Sequence, residues 1–199
     1  MKAKMKKAHL GLILFSLLAL AACGGGLRYS QLDPAAKEFH PRHLAVFPVD
    51  VGTYEEARDV ADTILAGVVM EKKAFKEVTA GDAMREMLKA NEELRKTYQD
   101  YTLKLKTVNF SDPELSRKIG SITKADAFLL VNIDYWLYTQ ESGKKVGKVG
   151  MAMKLVETST GRIMWKAGHF LDRSYSFIKP DLKDIARDVA REMLSELPN

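Results

Sequence analysis

Three successive segments between residues 125 and 172 alternate between apolar and polar side chains, and this pattern constrains the fold more than any other feature. They read ADAFLLVNIDYWLY, KVGMAMKLVET and RIMWKAGHFLD. Alternation with a period of two is typical of β-strands that are buried on one face. The connections ESGKKVG and STG favour hairpins. The sequence therefore predicts a three-stranded antiparallel meander with one covered face.

Helical periodicity precedes and follows this meander. Apolar residues recur at intervals of three and four in residues 54–73 and again in residues 181–197, which predicts an amphipathic helix in each. The run HLAVFPVDV, residues 43–51, and the run FKEVTA are predicted strands. The order strand, helix, strand, helix, helix, strand, strand, strand, helix predicts an α+β fold, an α/β sandwich with a mixed sheet and helices packed on it.

The middle of the chain is harder to interpret. Residues 82–104 keep the helical spacing and favour one long amphipathic helix, although YTLKLKTV from Tyr101 onwards alternates like a strand. Ser111, Pro113 and Glu114 have the order of an N-cap, a first-turn proline and a capping-box acid. We therefore expect a further helix in DPELSRKIGSITKA.

The amino-terminal segment has the pattern of an export signal. Four lysines precede an apolar stretch from Leu10 to Leu20, and small residues follow up to Cys23. This is the order of a secretory signal. The apolar stretch is shorter than the roughly 20 residues that a membrane-spanning helix needs. We expect residues 1–22 to be a signal peptide.

The end of this signal resembles a lipobox, the lipidation motif of bacterial lipoproteins, with Leu20 at its start and Cys23 at its end. The resemblance implies cleavage before Cys23, a diacylglycerol on its thiol and acylation of the new amino group. A free or disulfide-bonded thiol is the alternative, but the chain has no second cysteine to pair with it. Two or more acyl chains hold a protein stably on a bilayer. Gly24 resembles the sorting signal for the outer membrane in enteric bacteria, so we expect a lipid anchor on its periplasmic face, with the inner membrane as the alternative.

Residues 23–42 contain the lipidated Cys23 followed by glycines and two prolines without sustained periodicity, which predicts a flexible tether. The globular domain is then expected at residues 43–199. The chain carries a formal net charge of +5, but four of its lysines lie in the signal. The mature chain is therefore nearly neutral, and nothing in its charge indicates nucleic-acid binding.

Three motifs together resemble a family of exported lipoprotein domains related to the curli secretion lipoprotein CsgG, the amino-terminal domain of TolB, and LpoB. They are LAVFPVD, KADAFLLVNIDYW and KLVETSTGRIMWKA. The resemblance implies a CsgG/TolB-N-like sandwich and a role in secretion or envelope assembly, through an envelope protein partner or self-association. CsgG forms its pore with long inserted hairpins, and this chain has no pair of segments long enough for one. A regulator of a cell-wall enzyme, as in LpoB, and a carrier of lipid or another small ligand are the alternatives.

Residue types that carry chemistry are few. His40 and His43 are separated by two residues on an expected loop without further ligands, and the chain has no nucleophile motif that His169 could activate. Met151 and Met153 have the spacing of a Met-x-Met copper motif, but at period two on a strand they favour plain core. No Walker or GxGxxG loop is present. The sequence favours a protein that is not an enzyme and uses no metal or cofactor.

The mixed face of the meander is the candidate partner face, because exposed aromatic patches mark interaction sites. If helices cover it, the same residues are core. Strand periodicity assigns to this face four aromatic side chains: Phe128, Trp136, Tyr138 and Phe170.

Overall fold

The computed structural model describes residues 27–197, so the predicted signal peptide at residues 1–22 and the lipidation of Cys23 lie outside the described residues. Two short 3-10 turns accompany the strands and α-helices of this range. These elements are β1 (Tyr29–Leu32), β2 (His43–Val46), α1 (Arg58–Lys72), β3 (Glu77–Thr79), α2 (Asp82–Ala90), α3 (Glu92–Val108), α4 (Pro113–Thr123), β4 (Ala127–Glu141), β5 (Lys144–Glu157), β6 (Ile163–Tyr175) and α5 (Leu182–Ser195).

The strands form one six-stranded sheet in the order β1-β6-β5-β4-β2-β3. β2 is parallel to β3 and to β4, whereas β4, β5, β6 and β1 pair antiparallel. The predicted α+β fold with a mixed sheet and an antiparallel meander is thereby confirmed. β4, β5 and β6 extend well beyond the predicted segments and make the longest strands of the described chain.

Each face of the sheet has its own core. The first core lies under α1 and α5, where side chains such as Leu65, Val149 and Ile185 are at most 2% exposed. The second core lies under α2, α3 and α4 and contains Phe47 and Phe128. Burying one such side chain stabilises a fold by roughly 1.5–3 kcal/mol. The two cores make a three-layer sandwich over β2, β4 and part of β5.

The single helix predicted at residues 82–104 is wrong, because two helices meet at Asn91. This residue has an extended backbone, with φ −120° and ψ 99°. Its side chain accepts a hydrogen bond of 2.9 Å from the N–H of Leu94 and so caps α3. The segment YTLKLKTV is helical, since it buries Tyr101 and Leu105, four residues apart, in the second core.

The cap of α4 also differs from the prediction. Asp112 takes the N-cap position, where its Oδ1 accepts from the N–H groups of Glu114 and Leu115. Ser111 lies outside the helix and shares a hydrogen bond of 2.6 Å with the hydroxyl of Tyr101. The predicted helix therefore forms, but with a charged cap.

The flexible tether predicted up to Arg42 is wrong for residues 29–42. β1 pairs antiparallel with β6, with Tyr29 opposite Gly168 and Leu32 opposite Trp165. Phe39 is buried in the first core. The domain thus begins at β1 and not at residue 43. A four-residue edge strand is too short to show a periodicity of its own. It forms because it pairs with β6, which is distant in the sequence.

Candidate functional site: the open face of the sheet

The four aromatic residues predicted to share a partner face lie in different places. Phe128 is fully buried in the second core, and Trp136 is 5% exposed in the first core. Tyr138 is on the same side as Trp136, where its hydroxyl donates to the carbonyl of Pro180 at 2.7 Å. Phe170 alone lies half-buried on the opposite, uncovered side. The predicted partner face is therefore wrong as a single surface.

A β-bulge explains this outcome. Ile133 pairs with Met151 on β5, but the next pair is Tyr135 with Gly150, so Asp134 is an extra residue. One extra residue reverses the alternation of every later side chain on the strand. Trp136 consequently turns into the first core, and Tyr135 turns to the opposite side.

Beyond the second core, most side chains on the same side of the sheet are exposed or half-buried along β5, β6 and β1, whereas Val146 and the glycines at 150 and 168 are buried. Across the sheet, Val149, Met151 and Ala167 are at most 2% exposed. We name this uncovered side the open face. It consists of residues that lie next to one another across neighbouring strands. Its members are Tyr29, Tyr135, Lys148, Gly150, Lys154, Lys166, Gly168 and Phe170.

Two glycines let aromatic rings lie against the strands of the open face. A Cβ at Gly168 would overlap the ring of Tyr29. A Cβ at Gly150 would lie 2.6 Å from Cδ2 of Tyr135 and 3.1 Å from Cβ of Phe170. The rings of Tyr135 and Phe170 meet edge to face, with centroids 6.0 Å apart. Glycine in a strand marks a close approach of this kind.

Cations complete the open face. The ammonium of Lys148 lies 4.8 Å from the ring centroid of Tyr135 and 4.5 Å from that of Phe170, and it pairs with Glu141 at 2.7 Å. The guanidinium of Arg28 lies 5.5 Å from the centroid of Phe170. Each such contact contributes about 0.5–1 kcal/mol at an exposed site. The aromatic and cationic groups therefore stabilise one another's positions on the open face.

A cleft of about 650 Å³ borders the open face, between the sheet and α3. It is lined by charged and polar groups together with apolar ones, and Asp50 pairs there with Lys106 at 2.5 Å. Burial alone would raise the pKa of Asp50, but hydrogen bonds from Lys106 and from the N–H of Gly52 outweigh it and lower the pKa.

Lys154 lines the cleft and also belongs to the open face. Burial, and then the charge of Lys166, lower the pKa of its ammonium, while Asp134 acts in the opposite sense. Burial also raises the pKa of Asp134, against the hydrogen bond that it accepts from Asn132. Among residues 27–197, no side chain forms an ion pair or hydrogen bond with the Lys154 ammonium. This part of the surface can accept an anionic group.

The histidines that the sequence analysis considered as metal ligands or catalytic groups bond to neighbouring groups of the fold. His43 bonds through its ring nitrogens to the Lys124 carbonyl and to Thr79. Nε2 of His169 lies 2.8 Å from a carboxylate oxygen of Glu192, while its Nδ1 is buried without a partner in the described chain. Within residues 27–197, no three His, Cys, Asp or Glu side chains gather as metal ligands.

The methionines bear on the predicted alternative of a carrier for apolar ligands. Met84, Met151, Met153 and Met193 are all at most 2% exposed in the two cores. The lining of the cleft contains none of them. Leu105 and Leu130 do line it, together with charged groups such as Lys106. In the described part of the chain, no helix is long and apolar enough to cross a membrane.

Residues of the family-like motifs serve the fold. The Asp126 carboxylate accepts from the N–H groups of Arg42 and His43, at 2.8 and 2.9 Å, and so joins the starts of β2 and β4. Thr158 donates to the carbonyl of Asp126 at 2.9 Å. Gly161, with φ +72°, packs against Pro113 at the start of α4. These motif residues therefore hold the architecture, whereas Tyr135, Lys154 and Lys166 of the same motifs belong to the open face.

Sequence reasoning missed Tyr29, Tyr135 and Lys148. Tyr29 lies in the segment that was predicted to be a tether. The bulge at Asp134 places Tyr135 on the open face, opposite to the face that alternation predicts. The available signal was the pair of glycines, Gly150 and Gly168, in otherwise alternating strands.

No protein-family model matches the chain, and no curated protein has a significantly similar sequence. Solved structures do match. The PelC L103M dodecamer from Paraburkholderia phytofirmans is 17% identical, with 85% of this chain and 96% of that chain covered and a TM-score of 0.53. Lipoprotein GNA1162 from Neisseria meningitidis is 14% identical, with 78% and 99% covered and a TM-score of 0.50. The protein CT253 from Chlamydia trachomatis is 9% identical, with 78% and 95% covered and a TM-score of 0.50.

At these identities the likeness is one of fold. A bacterial lipoprotein is among the proteins that share it, and the comparisons do not single out CsgG, TolB or LpoB.

Proposed function

We propose that the chain is a lipid-anchored, non-enzymatic assembly component of the bacterial cell envelope that associates with further copies of itself through the open face. The open face is the observation that supports this proposal. The described helices leave this part of one side of the sheet uncovered, and aromatic and cationic side chains occupy it. Aromatic residues and arginine are enriched where proteins meet. The dodecameric state of PelC, which shares the fold, supports self-association.

The anchor is the second element of the proposal. The lipobox-like sequence ending at Cys23 supports acylation, and Gly24 supports sorting to the periplasmic face of the outer membrane. The fold shared with a bacterial lipoprotein supports the lipid anchor. Mass spectrometry of the amino-terminal peptide should show Cys23 cleaved and acylated. Replacement by Cys23→Ser should leave an uncleaved precursor or release the protein from membranes, and unchanged processing would contradict the anchor.

Self-association is tested with the full-length protein extracted in detergent. Its mass by light scattering after size exclusion should be a multiple of the monomer. Charge reversal by Lys166→Glu on the open face should shift the protein to smaller species. The matched control, Lys183→Glu, changes an exposed lysine of α5 and should leave the mass unchanged. A monomer for the unmodified protein would overturn self-association.

A regulator of a cell-wall enzyme would use the same surface toward a different partner. It predicts a monomer whose crosslinks in membranes join it to another protein through the open face. The same Lys166→Glu variant should then lose those crosslinks while the mass of the extracted protein stays that of a monomer.

A further inference from the structure

Two neighbouring apolar side chains in the loop between β6 and α5 are almost fully exposed. Phe177 is 99% and Ile178 is 87% exposed. Scattered exposed apolar residues are normal, but two adjacent ones projecting from a loop are an apolar protrusion with no function in the domain's own packing.

Lysines and tyrosines lie at the same end of the domain as this protrusion. Lys145 pairs with Tyr175 at the end of β6, which brings the β4–β5 turn beside the loop. The ring of Tyr175 meets the ring of Tyr138 edge to face, at 6.0 Å, and the ammonium of Lys179 lies 4.7 Å from the Tyr138 centroid. We name this end of the domain the tip. It consists of Tyr138, Lys144, Lys145, Tyr175, Phe177, Ile178 and Lys179.

The tip carries positive charge. Lys144, Lys145 and Lys179 are exposed, and none forms an ion pair with a residue in the 27–197 range. Two carboxylates lie nearby: Glu141 pairs with Lys148, and Asp181 caps α5 while its charge still acts on Tyr138. Apolar side chains within a ring of cations and tyrosines match the interface of a bilayer with anionic headgroups.

The path of the chain brings the proposed anchor to the same end. β6 runs from Ile163 toward the tip, and β1 runs antiparallel to it, starting at Tyr29 opposite Gly168. The chain therefore enters β1 from the side of the tip. Six residues lead from Cys23 to Tyr29 and span at most about 21 Å. The stretch of β6 from Gly168 to Tyr175 measures about 23 Å. If that segment is fully extended, Cys23 comes to within about 2 Å of the level of Tyr175, so a bilayer that holds it lies next to the tip.

We propose that the tip docks on the lipid bilayer in which Cys23 is anchored, with Phe177 and Ile178 inserted at the boundary between headgroups and acyl chains and the three lysines on anionic headgroups. The docked tip fixes the orientation of the domain on the membrane, since an anchor alone would leave it free to rotate. This inference rests on the lipid anchor of the proposed function.

The test places a fluorescent side chain in the tip of the intact, lipidated protein. Phe177→Trp is reconstituted in vesicles of phosphatidylethanolamine and phosphatidylglycerol that contain lipids brominated along the acyl chain. The native tryptophans, Trp136 and Trp165, are buried and give a constant background. The matched control is Leu32→Trp, since Leu32 is 58% exposed and pairs with Trp165 at the far end of β6.

We expect the brominated lipids to reduce the added fluorescence of Phe177→Trp at least twofold, and to leave that of Leu32→Trp unchanged. Acrylamide in the water should quench the added fluorescence of Leu32→Trp more than that of Phe177→Trp. Combining Phe177→Trp with Lys144→Ala, Lys145→Ala and Lys179→Ala should weaken the quenching by lipid. Quenching of Phe177→Trp by acrylamide alone would overturn the proposal. Protection from both quenchers would also overturn it, and would indicate contact with a second copy.

Failure of this inference can be told from failure of the proposed function. Acylation of Cys23 is read by mass spectrometry and self-association by the Lys166→Glu variant, and neither depends on the tip. If Cys23 carries no lipid, flotation of the unlipidated protein with anionic vesicles still reports whether the tip binds them. Near-ultraviolet circular dichroism should show native packing in each variant, because the changed side chains are exposed.

Discussion

Tyr29 lies against Gly168, its pairing partner across β1 and β6, so closely that no side chain could replace the glycine hydrogen. The indole N–H of Trp165 donates to the hydroxyl of Ser30 on the same edge strand, at 3.0 Å. These contacts attach the first described strand to the sheet and place Tyr29 on the open face.

Gly168→Val should therefore detach β1. The added side chain displaces the ring of Tyr29, and overpacking of this kind costs about 1–3 kcal/mol. Hydrogen exchange should show faster amide exchange in residues 29–32 than in the rest of the sheet. Gly67→Ala is the control, since a Cβ there meets nothing within 4 Å. It should leave exchange in β1 unchanged, and a Gly168→Val protein with unchanged β1 protection would refute the role given to this contact.

Trp136→Ala should destabilise the domain strongly. The side chain is 5% exposed in the first core, and truncation of such a residue costs about 3–5 kcal/mol. Urea denaturation measures the loss. Phe177→Ala removes another large aromatic group, but an exposed one, and should change the free energy of unfolding by less than about 0.5 kcal/mol. Equal effects of the two substitutions would contradict the bulge at Asp134.

Asp62→Ala should cost about 2–3 kcal/mol. The carboxylate is 7% exposed and accepts from the N–H of Val49 at 2.6 Å and from Arg85 at 2.7 Å, so its loss leaves a buried N–H unpaired. Asp82→Ala removes the other, exposed partner of Arg85 and should cost less than about 1 kcal/mol. The comparison is made by urea denaturation, and similar losses would show that the buried N–H is satisfied in another way.

Asp112 should make stability depend on pH. The hydrogen bond from Lys104 lowers the pKa of its carboxyl below the usual 3.8, with help from the N–H groups of Leu115 and Glu114 and against the effect of burial. The unfolded chain then binds the proton more tightly. The stabilisation is present above about pH 4 and is lost as the pH falls through the folded-state pKa.

Asp112→Asn keeps a capping oxygen but removes the charge. It should lower Tm by a few degrees at pH 7, and the gap to the unmodified protein should shrink as the pH falls below about 4. The control is Asp172→Asn, which changes an exposed carboxylate with no ion-pair partner in the described chain. A constant gap for Asp112→Asn would disprove the assignment.

Much of the fold was predictable because long elements carry their own periodicity. The meander, α1 and α5 each repeat their pattern several times. The break at Asn91 was not predictable, because the apolar residues of both helices around it have the same spacing. Only the capping hydrogen bond between Asn91 and Leu94 marks the start of the second helix. β1 was missed because four exposed residues carry no pattern.

For the candidate site, sequence reasoning placed Phe170 and failed for its expected neighbours. Alternation assigns each residue to a face only while pairing stays regular, and one extra residue at Asp134 exchanged the positions of Trp136 and Tyr135. The glycines at 150 and 168 indicated close approach, but not which rings approach them.

The sequence by itself determined the class of fold, the antiparallel meander and the helical faces, because these depend on spacing along the chain. It also predicts the export signal and the lipidated cysteine, which are read as short local motifs. Only the tertiary structure decided which aromatic groups are core and which form the open face, and that the chain enters β1 from the side of Phe177 and Ile178. These depend on the register between distant strands, which hydrogen bonding and burial select together.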